Sequence, residues 1–287
     1  MSRLLLAGIL TSCCFAGKRY VAPNRKEKMG VDLTLSDLYH PWKDDAQPPA
    51  PKSDQHRISE YMLNTVKDGD SIDHAINLFE SFSNSNRMGM TLGDQKGKVI
   101  EARFAKLLET ENVSDDIVIV EFGSHIGDGT LRIIRQLAKS KRRVTIVSLE
   151  ANPEWLGIGT SLVRHVLSIS GILNVKYTPV LLTSDVAALA DNLIKYHGVT
   201  RVDGLFLDHV HGKFYTDLNV LWDHGLLHTG TVIVADNAMR HRQVMEKFIQ
   251  FVDQHSTDFE LVYVVDPYPD EVLCAVWKET RAERDEL

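Results

Sequence analysis

Two apolar runs end in oxygen-bearing side chains: Leu205-Phe206-Leu207-Asp208-His209 and Val234-Ala235-Asp236-Asn237. If both runs are strands of one sheet, Asp208, Asp236 and Asn237 meet at its carboxyl edge, where α/β sheets bind ligands. Two carboxylates and one amide oxygen form a hard donor set suited to Mg²⁺, which leaves waters or substrate oxygens to complete its octahedron. Either aspartate alone would more often cap a helix; the pair at equivalent strand ends favours metal binding. A third run ends in Glu121-Phe122-Gly123-Ser124-His125-Ile126-Gly127-Asp128-Gly129. Glycines after a strand let the backbone turn tightly and approach a ligand at a helix N-terminus. The dinucleotide spacing Gly-x-Gly-x-x-Gly fails, because His125 and Asp128 stand where its second and third glycines belong. Glu150 closes the next apolar run, where its carboxylate can accept hydrogen bonds from both hydroxyls of a ribose. The expected ligand is therefore a nucleoside. None of the 12 histidines is spaced with cysteine as a zinc ligand set, and His209 and His211, just after Asp208, are the two taken as functional.

These residues need a sheet to hold them. Helical periodicity runs over about 57–67, 71–83 and 95–109. Short β-rich runs follow at Ile117–Phe122, Val144–Leu149, Val175–Leu181, Gly204–Leu207, Thr231–Ala235, Leu261–Val265 and Val272–Trp277, with helical segments between most of them. Continuous apolar strands separated by helices predict a parallel sheet covered on both faces. Only Asp266–Glu271 separates the last two strands, too little for a crossover helix, so the last strand is expected to be antiparallel. The fold class is α/β: a doubly wound, mostly parallel seven-stranded sheet of the Rossmann-like type. A helix over 241–255 is expected to be core-facing.

Composition bounds the function. The 287 residues are 44% hydrophobic and 25% charged, with 32 basic against 39 acidic groups for a net −7. Residues 1–30 carry six basic groups against Glu27, or +5, which leaves −12 on the rest. A body that acidic argues against nucleic acid as a partner. Three cysteines make no disulfide framework. Residues 1–16 have the layout of a signal peptide: Arg3, then 13 uncharged residues from Leu4 to Ala16, then Lys18-Arg19. That run is short of the ~20 residues that span a bilayer, so no stable span is expected after cleavage. Anchoring through residues 4–16 is the alternative. Residues 17–55, with Gln47-Pro48-Pro49-Ala50-Pro51, have linker texture. Residues 56–280 form the expected domain, and 281–287 a tail ending in Arg284-Asp285-Glu286-Leu287, which resembles a retention signal read by a receptor. Together the two ends predict the endoplasmic reticulum lumen. Asn112-Val113-Ser114 is a glycosylation triplet that the lumen could use.

The spacing acidic-x-Gly-x-x-x-Gly-x-Gly over Glu121–Gly129 resembles the first motif of the AdoMet-dependent methyltransferases. Over about residues 57–277 the chain resembles the catechol O-methyltransferase family. The likeness runs through Leu92-Gly93-Asp94-Gln95-Lys96-Gly97-Lys98, Glu121-Phe122-Gly123, Glu150-Ala151-Asn152-Pro153, Phe206-Leu207-Asp208-His209, Gly225-Leu226-Leu227, Gly230-Thr231 and Ala235-Asp236-Asn237. The resemblance implies methyl transfer from S-adenosyl-L-methionine (AdoMet) to a hydroxyl of a Mg²⁺-bound catechol-type small molecule. It implies Asp208, Asp236 and Asn237 as metal ligands. Leu92, Glu121, Gly123, Ser124, Gly127, Gly129, Glu150 and Asp208 would form the cofactor site. The family's catalytic lysine is replaced by His211, which leaves His211 and Lys213 as the candidate bases. Family aromatics are replaced by Met88, His125, Asp128 and Val210, which points to an altered substrate pocket. Two further readings stay open: methylation of other vicinal diphenols such as caffeoyl esters, and an AdoMet-binding lumenal partner or chaperone with little catalysis. A nicotinamide-linked oxidoreductase is disfavoured by the glycine spacing.

Overall fold

In the computed structural model, residues 52–109, 116–182, 186–238, 241–255, 259–265 and 271–277 are described. The segments read as signal peptide, linker and retention tail, and the Asn112 triplet, lie outside the described residues, apart from the last few positions before 56. Residues Pro51–Leu287 form a compact unit of their own.

Three helices precede the sheet. α1 (Asp54–Thr65) and α2 (Ile72–Ser85) each start at a serine, Ser53 and Ser71, whose hydroxyl accepts the amide of His56 and His74. Those caps satisfy amides that the helix itself cannot pair. α3 (Gly93–Ala105) ends in a 3-10 turn over Lys106–Leu108. Then β1 (Asp116–Phe122), α4 (Asp128–Leu137), β2 (Arg143–Glu150), α5 (Pro153–Ile169), β3 (Val175–Leu181), α6 (Val186–His197) and β4 (Val202–Leu207) alternate. They are followed by α7 (Phe214–Asp223), β5 (Leu227–Ala235), α8 (Glu246–Gln254), β6 (Phe259–Val265) and β7 (Glu271–Trp277).

The sheet order is β3-β2-β1-β4-β5-β7-β6. The five strands from β3 to β5 pair in parallel, while β7 pairs antiparallel with β5 and β6. Alternate residues of β1 face opposite layers, as the period of two requires. Ile117 and Ile119 pack in one core with α1 to α5, and Val120 and Phe122 in the other with α6 to α8. From β1 the chain winds outward through β2 to β3, then crosses back to β4 and winds the other way. Strand order therefore reverses between β1 and β4, and the crevice at their carboxyl ends is the topological switch point.

Three elements begin away from where the sequence places them. β4 and β5 begin earlier, because polar residues that interrupt the apolar run are paired within the sheet. Asp203 accepts the Val118 amide at 2.7 Å, and the Thr231 hydroxyl donates to the Val202 carbonyl at 2.8 Å. The last crossover helix begins at Glu246 rather than 241, since residues 241–245 form turns that bond back to Asn237 and His241. Among the described residues no helix is long and apolar enough to cross a membrane.

Candidate active site

The candidate residues converge from four strand ends and from α3. Gly123 leaves β1 with φ +91°, and a Cβ there would lie 2.3 Å from the Asp208 carbonyl oxygen. Only glycine lets the β1 and β4 ends approach so closely. The Gly123 and Ser124 amides both donate to the Leu149 carbonyl, at 2.8 and 3.1 Å, which ties this loop to β2. Gly127, the N-cap of α4, lies where a Cβ would meet Val163 of α5 at 2.6 Å, so its role is turning and packing.

Glu121 is fully buried. Its Oε2 accepts from the Thr130 hydroxyl at 2.6 Å and the Ser148 hydroxyl at 2.5 Å. Burial pushes its carboxyl up to about 7 despite those two hydrogen bonds, with the Asp128 and Glu150 charges adding to the rise. Its Oε1 has no hydrogen-bond partner among the described residues. That atom faces Gly129, where a Cβ would sit 2.8 Å away, and the Leu92 side chain borders the same space. Buried acceptors are rarely left unpaired, so this one points at a ligand's donor.

Glu150 lies across the same loop. Its Oε2 accepts the His125 amide and its Oε1 the Asn152 amide, both at 2.8 Å. A carboxylate has about four acceptor positions, so two bonds fix its plane and leave room for a diol. The His125 ring meets Trp155 edge-on at 4.8 Å, and His125 holds a left-handed φ of +47°. Burial lowers its pKa against the opposing pull of Glu150 and Asp128. Asp128 joins two helices: its Oδ2 accepts the Leu92 amide at 2.9 Å and its Oδ1 the Arg132 guanidinium at 3.0 Å.

The three proposed metal donors meet at the ends of β4 and β5. Asp236 is 2% exposed, and Asn237 sits at φ +59°, a strained left-handed turn of the kind found at functional sites. Burial, together with the Asp236 charge and a hydrogen bond to Asp236, holds the Asp208 carboxyl well above the usual range. A cation is seated on this group. The Lys96 ammonium from α3 donates to both Asp236 oxygens at 3.0 and 2.9 Å and to Asn237 Oδ1 at 3.1 Å. Its charge also draws the Asp208 pKa down. Among the described residues no group of three or more His, Cys, Asp or Glu side chains that could hold a metal is found. Oxygen donors arranged around an ammonium fit a hard cation such as Mg²⁺.

The two histidines after Asp208 part company. His209 lies beneath the loop, its ring between Phe122 and Phe214 at 5.1 and 5.0 Å, with Nε2 2.5 Å from Asp217. It supports the β4 end rather than lining the crevice. The His211 ring stacks on His241 at 3.9 Å and touches Phe214 at 5.3 Å. Lys213 is exposed in the same short turn. Val210, which stands where the resemblance expects an aromatic, is 66% exposed, and Val244 is 58% exposed. The contacts of Lys96 and the stack with His241 are the features that sequence reasoning missed. Lys96 stood in a quoted motif, but nothing in spacing alone joins it to residues 140 positions away.

No family model matches the chain. It is 28% identical to bovine (Bos taurus) catechol O-methyltransferase over 187 residues, 65% of this chain and 62% of that protein. It is 25% identical to the mouse (Mus musculus) catechol O-methyltransferase over 185 residues, 64% and 63% of the two chains. The chain is similar to the catechol O-methyltransferases. A probable O-methyltransferase of Mycobacterium tuberculosis is 30% identical over 169 residues, 58% of this chain and 66% of that one. The chain thus spans under two thirds of the length of these relatives. Cofactor-bound Rv0187 from MTB matches in structure with a TM-score of 0.51 at 18% identity, covering 80% of this chain and 100% of that one. The fold is the α/β Rossmann-like fold of the methyltransferases, with its five-stranded parallel core.

Proposed function

We propose that this chain transfers the methyl group of AdoMet to a hydroxyl of a catechol-like small molecule in a Mg²⁺-dependent reaction. The observation that carries the reading is that Asp236 and Asn237 bind one cation at the switch point, with Asp208 hydrogen-bonded to Asp236, beside a loop with an unpaired buried acceptor. The likeness to catechol O-methyltransferases supports the same reading, and a seven-stranded sheet with an antiparallel last strand is part of it.

In this reading Glu150 binds the ribose hydroxyls, while Leu92, Gly123, Ser124 and Gly129 shape the space beside them. Glu121 Oε1 accepts from the cofactor's ammonium, the donor that this buried oxygen lacks. Asp208, Asp236 and Asn237 would hold Mg²⁺, whose Lewis acidity lowers the pKa of a catechol hydroxyl. His211, in the turn after Asp208, takes the proton of the attacking hydroxyl, a role that imidazole fills near neutral pH. The oxygen–carbon bond forms as the carbon–sulfur bond breaks, and the sulfur leaves as a neutral thioether. Lys213, exposed nearby, is the second candidate for that proton. Positioning supplies much of the rate, because in-line approach is what methyl transfer chiefly needs.

The test incubates the full chain with AdoMet and Mg²⁺, with catechol and a caffeoyl ester in parallel, and detects methylated product by mass spectrometry. Product from catechol that disappears in Asp236→Ala supports the assignment. Product from the caffeoyl ester alone would move the substrate class. AdoMet binding without any product would favour the partner-protein reading. A lumenal location, with cleavage after residue 16 and receptor retention through residues 284–287, completes the proposal; secretion on deleting those four residues is its check.

A further inference from the structure

The Lys96 ammonium occupies the same oxygens that the proposed reaction needs for its metal. Both partners are enclosed: the Lys96 side chain is 12% exposed and that of Asp236 is 2%. The lysine two positions on behaves differently, for Lys98 points outward and pairs with Asp94 at 2.6 Å, with side chains 68% and 52% exposed. α3 therefore sends one lysine to solvent and the other into the carboxylate centre. The Asp208 carboxyl, hydrogen-bonded to Asp236, lies in the same surroundings. Without a counter-ion a buried carboxylate group of this kind is costly, and an ammonium on a flexible stem supplies that charge within the chain.

We propose that Lys96 is a tethered counter-cation that fills the centre in the metal-free protein and must be displaced for a divalent ion to bind. The inference rests on the reading of Asp208, Asp236 and Asn237 as metal ligands. The geometry gives the reason: Lys96 already takes both oxygens of Asp236 and the one oxygen of Asn237. A divalent ion on those atoms would stand within hydrogen-bond distance of a second positive charge, and the two repel strongly where water is scarce. Lysine's unbranched stem lets the ammonium withdraw toward solvent while α3 stays in place. Lys96 thereby holds the apo protein together and weakens its grip on metal, two effects of one contact.

The test uses the full chain and Mn²⁺ as probe, with free Mn²⁺ followed by electron paramagnetic resonance. Lys96→Met is expected to bind Mn²⁺ about tenfold or more tightly than the wild type, and Asp236→Asn to bind far more weakly. In the wild type, amine-reactive labelling of Lys96 followed by mass spectrometry is expected to rise on adding Mg²⁺. In Asp236→Asn, labelling is expected to be high without any cation. Equal or weaker Mn²⁺ binding by Lys96→Met, or Lys96 labelling that Mg²⁺ leaves unchanged while Mn²⁺ binds, would overturn the inference and leave the metal assignment standing. Failure of both proteins to bind Mn²⁺ would instead remove the metal assignment, and the inference with it.

Discussion

Glu121 shows how one residue's chemistry follows from its surroundings. A carboxyl enclosed at the end of β1, bonded by Thr130 and Ser148 and raised to about 7 by burial, binds its proton longer in the folded chain than in the unfolded one. Its folded pKa lies above the ordinary value of 4.5, so its contribution to stability is fully present below that value and is lost as pH rises through about 7. At about 1.4 kcal/mol per pKa unit, the loss is on the order of 3 kcal/mol. Glu121→Gln should flatten this slope, so urea midpoints of the cofactor-free protein measured at pH 5 and 7.5 should differ less in the variant than in the wild type. AdoMet, by supplying a donor to Oε1, should offset the loss in the wild type and not in the variant. At this scale the sequence was informative wherever a residue type stood at a strand end. Glu121, Glu150, Asp208 and Asp236 all lie where their runs placed them. It was silent where a contact depends on a distant partner, as with Lys96 on Asp236 and His211 on His241. Adjacency to Asp208 says nothing about which side of the loop the His209 ring faces, and here it packs between two phenylalanines.

Between elements, the contact of α3 with α4 does the most to set the site. Arg132 of α4 is fully buried under α3 and pairs with Asp128 and Glu101 at 3.0 and 3.5 Å and with Glu80. Gly97 makes room for it: a Cβ there would fall 2.0 Å from the Arg132 guanidinium. A guanidinium at the end of a flexible stem could usually step aside, but three carboxylates hold this one. Gly97→Ala should therefore push α3 outward, lower stability by roughly 1–3 kcal/mol and loosen both the Leu92–Asp128 bond and the reach of Lys96. Thermal melting together with Mn²⁺ affinity would register the two effects; an unchanged melting temperature would show that Arg132 yields. The glycine was visible in the sequence as part of a motif, but its reason was not, since the arginine lies 35 positions on. Strand cores were legible because β-branched, fully buried runs have few other uses. Strand starts were not, because Asp203 and His228 look like loop residues until their pairing at 3.0 Å is seen.

Across the whole molecule, a single topological event creates the site. The chain winds one way from β1 and the other way from β4, which opens the crevice where the loop after β1 and the proposed metal donors lie. The alternation of apolar runs and helical segments carried that much in advance, since parallel strands need crossovers and crossovers have one hand. What alternation does not carry is the identity of the cation at the crevice, because charge balance there is shared among β1, β4, β5 and α3. On the proposed function, the crevice performs methyl transfer only with a divalent ion on Asp208, Asp236 and Asn237. The measurement that tests it most directly is the initial rate of label transfer from methyl-labelled AdoMet to catechol as free Mg²⁺ is raised from an EDTA-stripped baseline. A rate that starts near zero and saturates with Mg²⁺ is the predicted result. A rate already full in EDTA, with Lys96 left in place, would contradict it.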